Sequence, residues 1–150
     1  MPTAGQRVKA LDFGTTQSAA DFTTFTNLAT TATAGSPSVN ITFTAPTSGA
    51  VLVIVAGYVW DTAASNEIIV DYELRANNVS GAIIIATGNW ERRWSGPGAT
   101  SGAIKSTGSK AYPVTGLTAG STYFVRTMHY AAVSSAGSNL TMRSLVVHPL

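Results

Sequence analysis

Apolar and polar residues alternate along this chain in short runs, broken about every 8–12 residues by Gly, Pro, Asn or Ser. Val39, Ile41 and Phe43 alternate with Asn40, Thr42 and Thr44, the period-two pattern of a half-buried strand. Ala45-Pro46-Thr47-Ser48-Gly49 is a turn. Ala50 to Trp60 is almost continuously apolar, which predicts a strand covered on both faces. Ile68, Val70, Tyr72 and Leu74 fall on one face of the next strand, and Glu67, Asp71, Glu73 and Arg75 on the other, with Ile69 the exception. Further strands are expected over Ala82 to Ala86, Trp90 to Trp94 and Ile104 to Val114. In the next, Tyr123, Val125 and Thr127 oppose Phe124, Arg126 and Met128. In the last, which runs to Val147, Leu140, Met142 and Ser144 oppose Thr141, Arg143 and Leu145. About eight strands with no long helix predict an all-β sandwich or jelly roll.

Residues 1–35 differ from the rest. Thr and Ala dominate, no period is sustained, and Phe13, Phe22, Phe25 and Leu28 are the sizeable apolar anchors. Abundant β-branched Thr disfavours a helix. Two readings remain: an extended arm that docks on a neighbour, or a short first strand preceded by a flexible tail. The expected organisation is an arm over 1–35 and a β-sandwich domain over 36–150.

Composition narrows the class. At 150 residues one core is expected. Charged residues make up 11% of the chain and Ser plus Thr about a quarter, which implies a neutral, hydroxyl-rich surface. The wealth of β-branched and aromatic residues argues against disorder. The run Ala50 to Trp60 is too short for a membrane-spanning helix, and Met1 to Arg7 lacks the apolar centre of a secretory signal. No membrane partner is expected. Nine basic and seven acidic residues leave a net charge of +2, and the basic residues are scattered apart from Arg92-Arg93. Nucleic-acid binding, which needs a basic stripe, is therefore not expected. With no cysteine, disulfides and thiolate metal sites are excluded.

Candidate chemistry is sparse. Asp71 and Glu73 share a strand face at a spacing of about 6.8 Å, within the range of a glycosidase pair. Glu67 and Arg75 on the same face make a solvated surface the better expectation. His129 and His148 are the two histidines, in no metal-ligand spacing, and a structural or interface role suits both. There is no Gly-x-Ser-x-Gly elbow and no phosphate-binding Gly-Lys-Ser/Thr loop. No enzyme, metal or cofactor is expected.

Trp90-Glu91-Arg92-Arg93-Trp94 is the most unusual stretch. In a strand, Trp90, Arg92 and Trp94 share a face, with the guanidinium stacked between two indoles. That arrangement suits a subunit interface or a glycan platform; a core strand with snorkelling arginines is the plainer reading.

Two stretches together carry a resemblance. The first is Ala34-Gly35-Ser36-Pro37 followed by Phe43 to Val53. The second is Gly116-Leu117-Thr118-Ala119-Gly120-Ser121-Thr122-Tyr123-Phe124-Val125-Arg126, His129, and then Met142 to Val147. With the opening Ala4 to Ala10, they resemble small virion proteins of tailed bacteriophages, particularly those infecting actinobacteria, of the minor tail, head-fibre or capsid decoration type. The resemblance covers most of 34–150; residues 88–112 fall outside it. It implies a jelly roll similar to the C1q and tumour-necrosis-factor domains, assembling as a homotrimer. It further implies a trimeric capsid decoration protein, made in the host cytoplasm and held on the major capsid protein by its N-terminal arm. In that arm Arg7, Lys9, Phe13, Phe22 and Phe25 would make the attachment. The alternative it leaves is a minor tail or fibre protein that binds a host surface glycan. Leu117 to Tyr123 also resembles the tyrosine-corner turn of fibronectin type III domains, with Trp60 as the early-strand tryptophan of that competing fold.

Overall fold

The computed structural model describes residues 15–61, 67–96, 104–133 and 137–150. Among the described residues nine strands form: β1 (Gln17–Asp21), β2 (Asn40–Thr44), β3 (Val51–Asp61), β4 (Ile68–Ala76), β5 (Ile83–Ile85), β6 (Trp94–Gly96), β7 (Ile104–Val114), β8 (Thr122–Ala131) and β9 (Ser138–Pro149). They make two antiparallel sheets. One has the order β1-β9-β3-β7; the other has β2-β8-β4-β5, with β6 also paired to β4. The chain changes sheet at most of its connections, and its first and last strands pair. This is a jelly-roll sandwich.

The fibronectin-like alternative fails on topology. It would place the first two strands in one sheet, whereas β1 and β2 lie in different sheets. The tyrosine-corner turn is nevertheless real: Thr118 N donates to Tyr123 Oη at 2.9 Å. Trp60 is not a core residue of such a fold. It points outward and is 40% exposed.

Alternation in sequence becomes alternation in burial. Val51, Val53, Val55 and Val59 of β3 face Ile68, Val70, Tyr72 and Leu74 of β4 across the sandwich, all within the buried core. Gly57 interrupts the β3 row and pairs with Gly108 of β7. The two glycines leave bare backbone under the Trp94 indole. A Cβ on Gly57 would stand 2.7 Å from Val70 and 2.9 Å from Trp94, and one on Gly108 would run into Trp94 Nε1. Trp94 thereby fills the gap between the sheets that two ordinary side chains would otherwise occupy.

One irregularity reassigns faces in β9. The β3–β9 register shifts between Tyr58 and Val59, so Tyr58 pairs with Met142 but Val59 with Leu140. The extra residue lets both Leu140 and Arg143 face the core, where simple alternation had put them on opposite sides.

Residues 15–35 are not free arm. Gln17 to Asp21 form β1 against β9, as in the first-strand reading. The chain then crosses from the four-stranded to the five-stranded sheet as a strap along one side of the sandwich. Phe25 exchanges backbone bonds with Leu140 at 2.8 and 2.9 Å, and Thr33 does so with His129 at 3.0 and 2.8 Å. Leu28 is buried beneath the strap. The expected boundary at residue 35 therefore falls inside an integral part of the fold. Residues 1–14, with Arg7, Lys9 and Phe13, lie outside the described residues.

Candidate functional site

Arg92 and the two tryptophans do not share a strand face. Only Trp94 lies in a strand, β6, and its ring is packed between the sheets. Trp90 sits in a turn and is 73% exposed. The turn is closed by Arg92 N donating to Asn89 O at 3.2 Å and by Glu91 N donating to Asn89 Oδ1 at 2.9 Å. Asn89 competes successfully for the backbone there, which ends the extended pattern. Arg92 stacks on tyrosines instead of indoles: its guanidinium lies 6.0 Å from the Tyr72 ring and 5.9 Å from the Tyr112 ring. Its Nη2 donates to Ala86 O at 2.8 Å, drawing the turn back on itself.

The carboxylate face of β4 is not solvated, contrary to expectation. Asp71 is fully buried. Its Oδ2 accepts from Gly88 N and its Oδ1 from Tyr72 N, both at 2.7 Å. Burial raises its pKa in spite of those bonds. Glu73 is clamped by Arg75 through Nε at 2.6 Å and Nη2 at 3.0 Å, and by Arg126 Nε at 2.9 Å. The Arg75 bonds, opposed by burial and helped by the Arg126 charge, hold its carboxyl below the usual range. One acid anchors a loop and the other anchors arginines, so the pair is built into structure.

The histidines part company. His148 is exposed and hydrogen-bonds through Nδ1 with Thr16 Oγ1 at 2.6 Å. His129 is buried, with its ring centroid 4.7 Å from that of Phe25 and no hydrogen-bond partner for either nitrogen among the described residues. Burial, and then the Arg143 charge, push its pKa down to about 4. Among the described residues no three His, Asp or Glu side chains gather as a metal ion would need. No described helix is long and apolar enough to cross a membrane.

Of the proposed arm anchors, Phe25 is engaged inside the protein, its ring 4.3 Å from the Arg143 guanidinium carbon. Phe22 is 71% exposed and remains available to a partner.

A further candidate surface was missed as such in the sequence. The apolar run of β3 is covered on one face only. Leu52, Ile54, Ala56 and Tyr58 are half-buried and, with Trp60, point away from the core. Their cross-strand neighbours are His148, Val146, Ser144 and Met142 on β9, and Pro113, Ala111, Ser109 and Thr107 on β7. The formal charge on this face among the described residues is Lys105, opposite Trp60, with its ammonium 6.0 Å from the indole. A broad sheet face that is apolar, aromatic and almost free of charge has the composition of an interface core. The signal for it was the unbroken apolar run itself.

No family model and no curated protein matches this chain.

Proposed function

We propose that this chain is a non-catalytic structural protein of a tailed-phage virion. In this reading it is a homotrimer that decorates the capsid surface and is attached to the major capsid protein through its N-terminal residues. The observation that carries the reading is the outer face of the four-stranded sheet. Leu52, Ile54, Tyr58 and Met142 there are incompletely covered in the single chain, and contact with further copies would bury them. A closed trimer suits three-fold and quasi-three-fold positions of an icosahedral shell. The resemblance set out above supplies the virion context. Because residues 17–35 are built into the sandwich, the attachment role falls to residues 1–14 and the exposed Phe22.

Light scattering on the purified chain tests the assembly. A mass near three subunits that falls to one subunit in Ile54→Asp supports it. A monomeric wild-type chain overturns it. Copy number per particle then separates the decoration role from a minor tail role, since decoration proteins are present in far larger numbers. The exposed Trp90 favours the tail reading as the second choice, through glycan contact.

A further inference from the structure

Loop Ala86–Arg92 is fastened at both ends from beneath. Near its start, Gly88 N is held by the buried Asp71 carboxylate at 2.7 Å. At its end, the Arg92 guanidinium lies over Tyr72 and Tyr112 and ties back to Ala86 O. A buried carboxylate and a half-buried cation are costly groups to place, and here both act on one surface loop. What the loop displays is Trp90, 73% exposed, at the rim of a hollow of about 680 Å³. Ile84, Thr87, Asn89, Glu91 and Arg92 also line it. The hollow is large enough for a small ligand.

We propose that this loop is a preorganised binding platform for an uncharged saccharide, stacked on the Trp90 indole. An open indole face matches the C–H face of a pyranose ring. The Glu91 carboxylate, the Asn89 amide and the Thr87 hydroxyl beside it supply the acceptors and donors that ring hydroxyls need. The arginines nearby are already engaged. Arg92 is stacked on tyrosines, and Arg93 reaches Tyr130 Oη at 3.3 Å and Glu67 at 3.4 Å. Arg92 also lines the hollow, so its charge and that of Glu91 offset one another and the lining carries no net formal charge, which favours neutral sugars. Fastening the loop in advance lowers the ordering cost of binding. The site lies on the β4–β5–β6 side, apart from the outer face of the four-stranded sheet, so it stands or falls independently of the assembly reading.

The test uses the full chain on a printed array of neutral and acidic glycans, with calorimetry on any neutral oligosaccharide captured. The expected result is saturable capture of neutral glycans that Trp90→Ala weakens at least about tenfold. Trp60→Phe should leave capture unchanged, and the Trp90→Ala chain should keep the wild-type melting temperature. Absence of capture, capture restricted to acidic glycans, or capture that survives Trp90→Ala would overturn the proposal. So would a loss of self-association in Trp90→Ala, which would make the indole a protein contact.

Discussion

Arg143 and Asp21 form an ion pair at 2.6 Å that ties the last strand to the first, and the arginine side chain has no exposure to solvent. The same guanidinium donates to Ala34 O at 2.5 Å and to Pro37 O at 2.8 Å, so it also holds the strap. A buried arginine without its carboxylate is an uncompensated charge. Asp21→Asn should lower the unfolding free energy by about 3 kcal/mol, read from urea denaturation at neutral pH. A change under about 0.5 kcal/mol would mean that the two carbonyls suffice to hold the cation.

Acid should weaken the fold through His129. Its folded pKa is about 4 against an ordinary value of 6.5. Between these values the unfolded chain binds the extra proton, so stability falls as pH drops from about 6.5 to about 4. The full difference corresponds to about 3 kcal/mol. For Asp21, hydrogen bonds from Arg143 and Thr23 outweigh burial and hold the carboxyl below its usual range. Its contribution is lost at still lower pH. His129→Leu removes a buried imidazole whose nitrogens have no partner among the described residues. It should be close to neutral at pH about 7 and should flatten the decline above pH about 4 in urea midpoints.

The glycine pair under Trp94 makes a steric prediction. Gly108→Ala pushes a methyl group into the indole nitrogen, and the ring also lies within van der Waals reach of Gly57 on the neighbouring strand. A loss of about 1–3 kcal/mol is expected, together with a shift in tryptophan emission. Gly116→Ala is a useful contrast, because a Cβ there meets nothing within 4 Å. Its cost should be that of the backbone alone, about 1 kcal/mol, since the residue has a φ of +78°.

On the assembly proposed above, replacing an outward apolar residue of β3 should separate association from folding. Ile54→Asp places a carboxylate on the open face, not in the core. Scattering should then report a smaller particle, while circular dichroism keeps the β-sheet spectrum. Loss of the spectrum would mean that the chain does not fold without its partners.

Much of the sandwich was legible in the sequence because its strands obey period two. The span of β7 and the inward face of β4 follow directly from Ile104 to Val114 and from Ile68, Val70, Tyr72 and Leu74. What alternation could not reveal was the bulge that turns Arg143 inward, since an inserted residue changes the face without changing composition. Nor could the strap be read. Phe25 and Leu28 stood out as its apolar anchors, but its path is set by backbone bonds and one distant guanidinium, and Thr-rich sequence carries little record of either. Trp90-Glu91-Arg92-Arg93-Trp94 looked like a strand because its large residues alternate. Asn89 and its turn hydrogen bonds broke that period, sending one indole into the core and the other to solvent.

The seat of Trp94 also bears on how this fold can diverge. Positions 57, 94 and 108 share one volume, so a relative that acquires a side chain at position 108 must shrink the residue at position 94, and one that acquires it at position 57 must also make room at Val70. Substitutions at these three sites should therefore appear in combination across natural variants. A single change at one of them would pass through a strained ancestor.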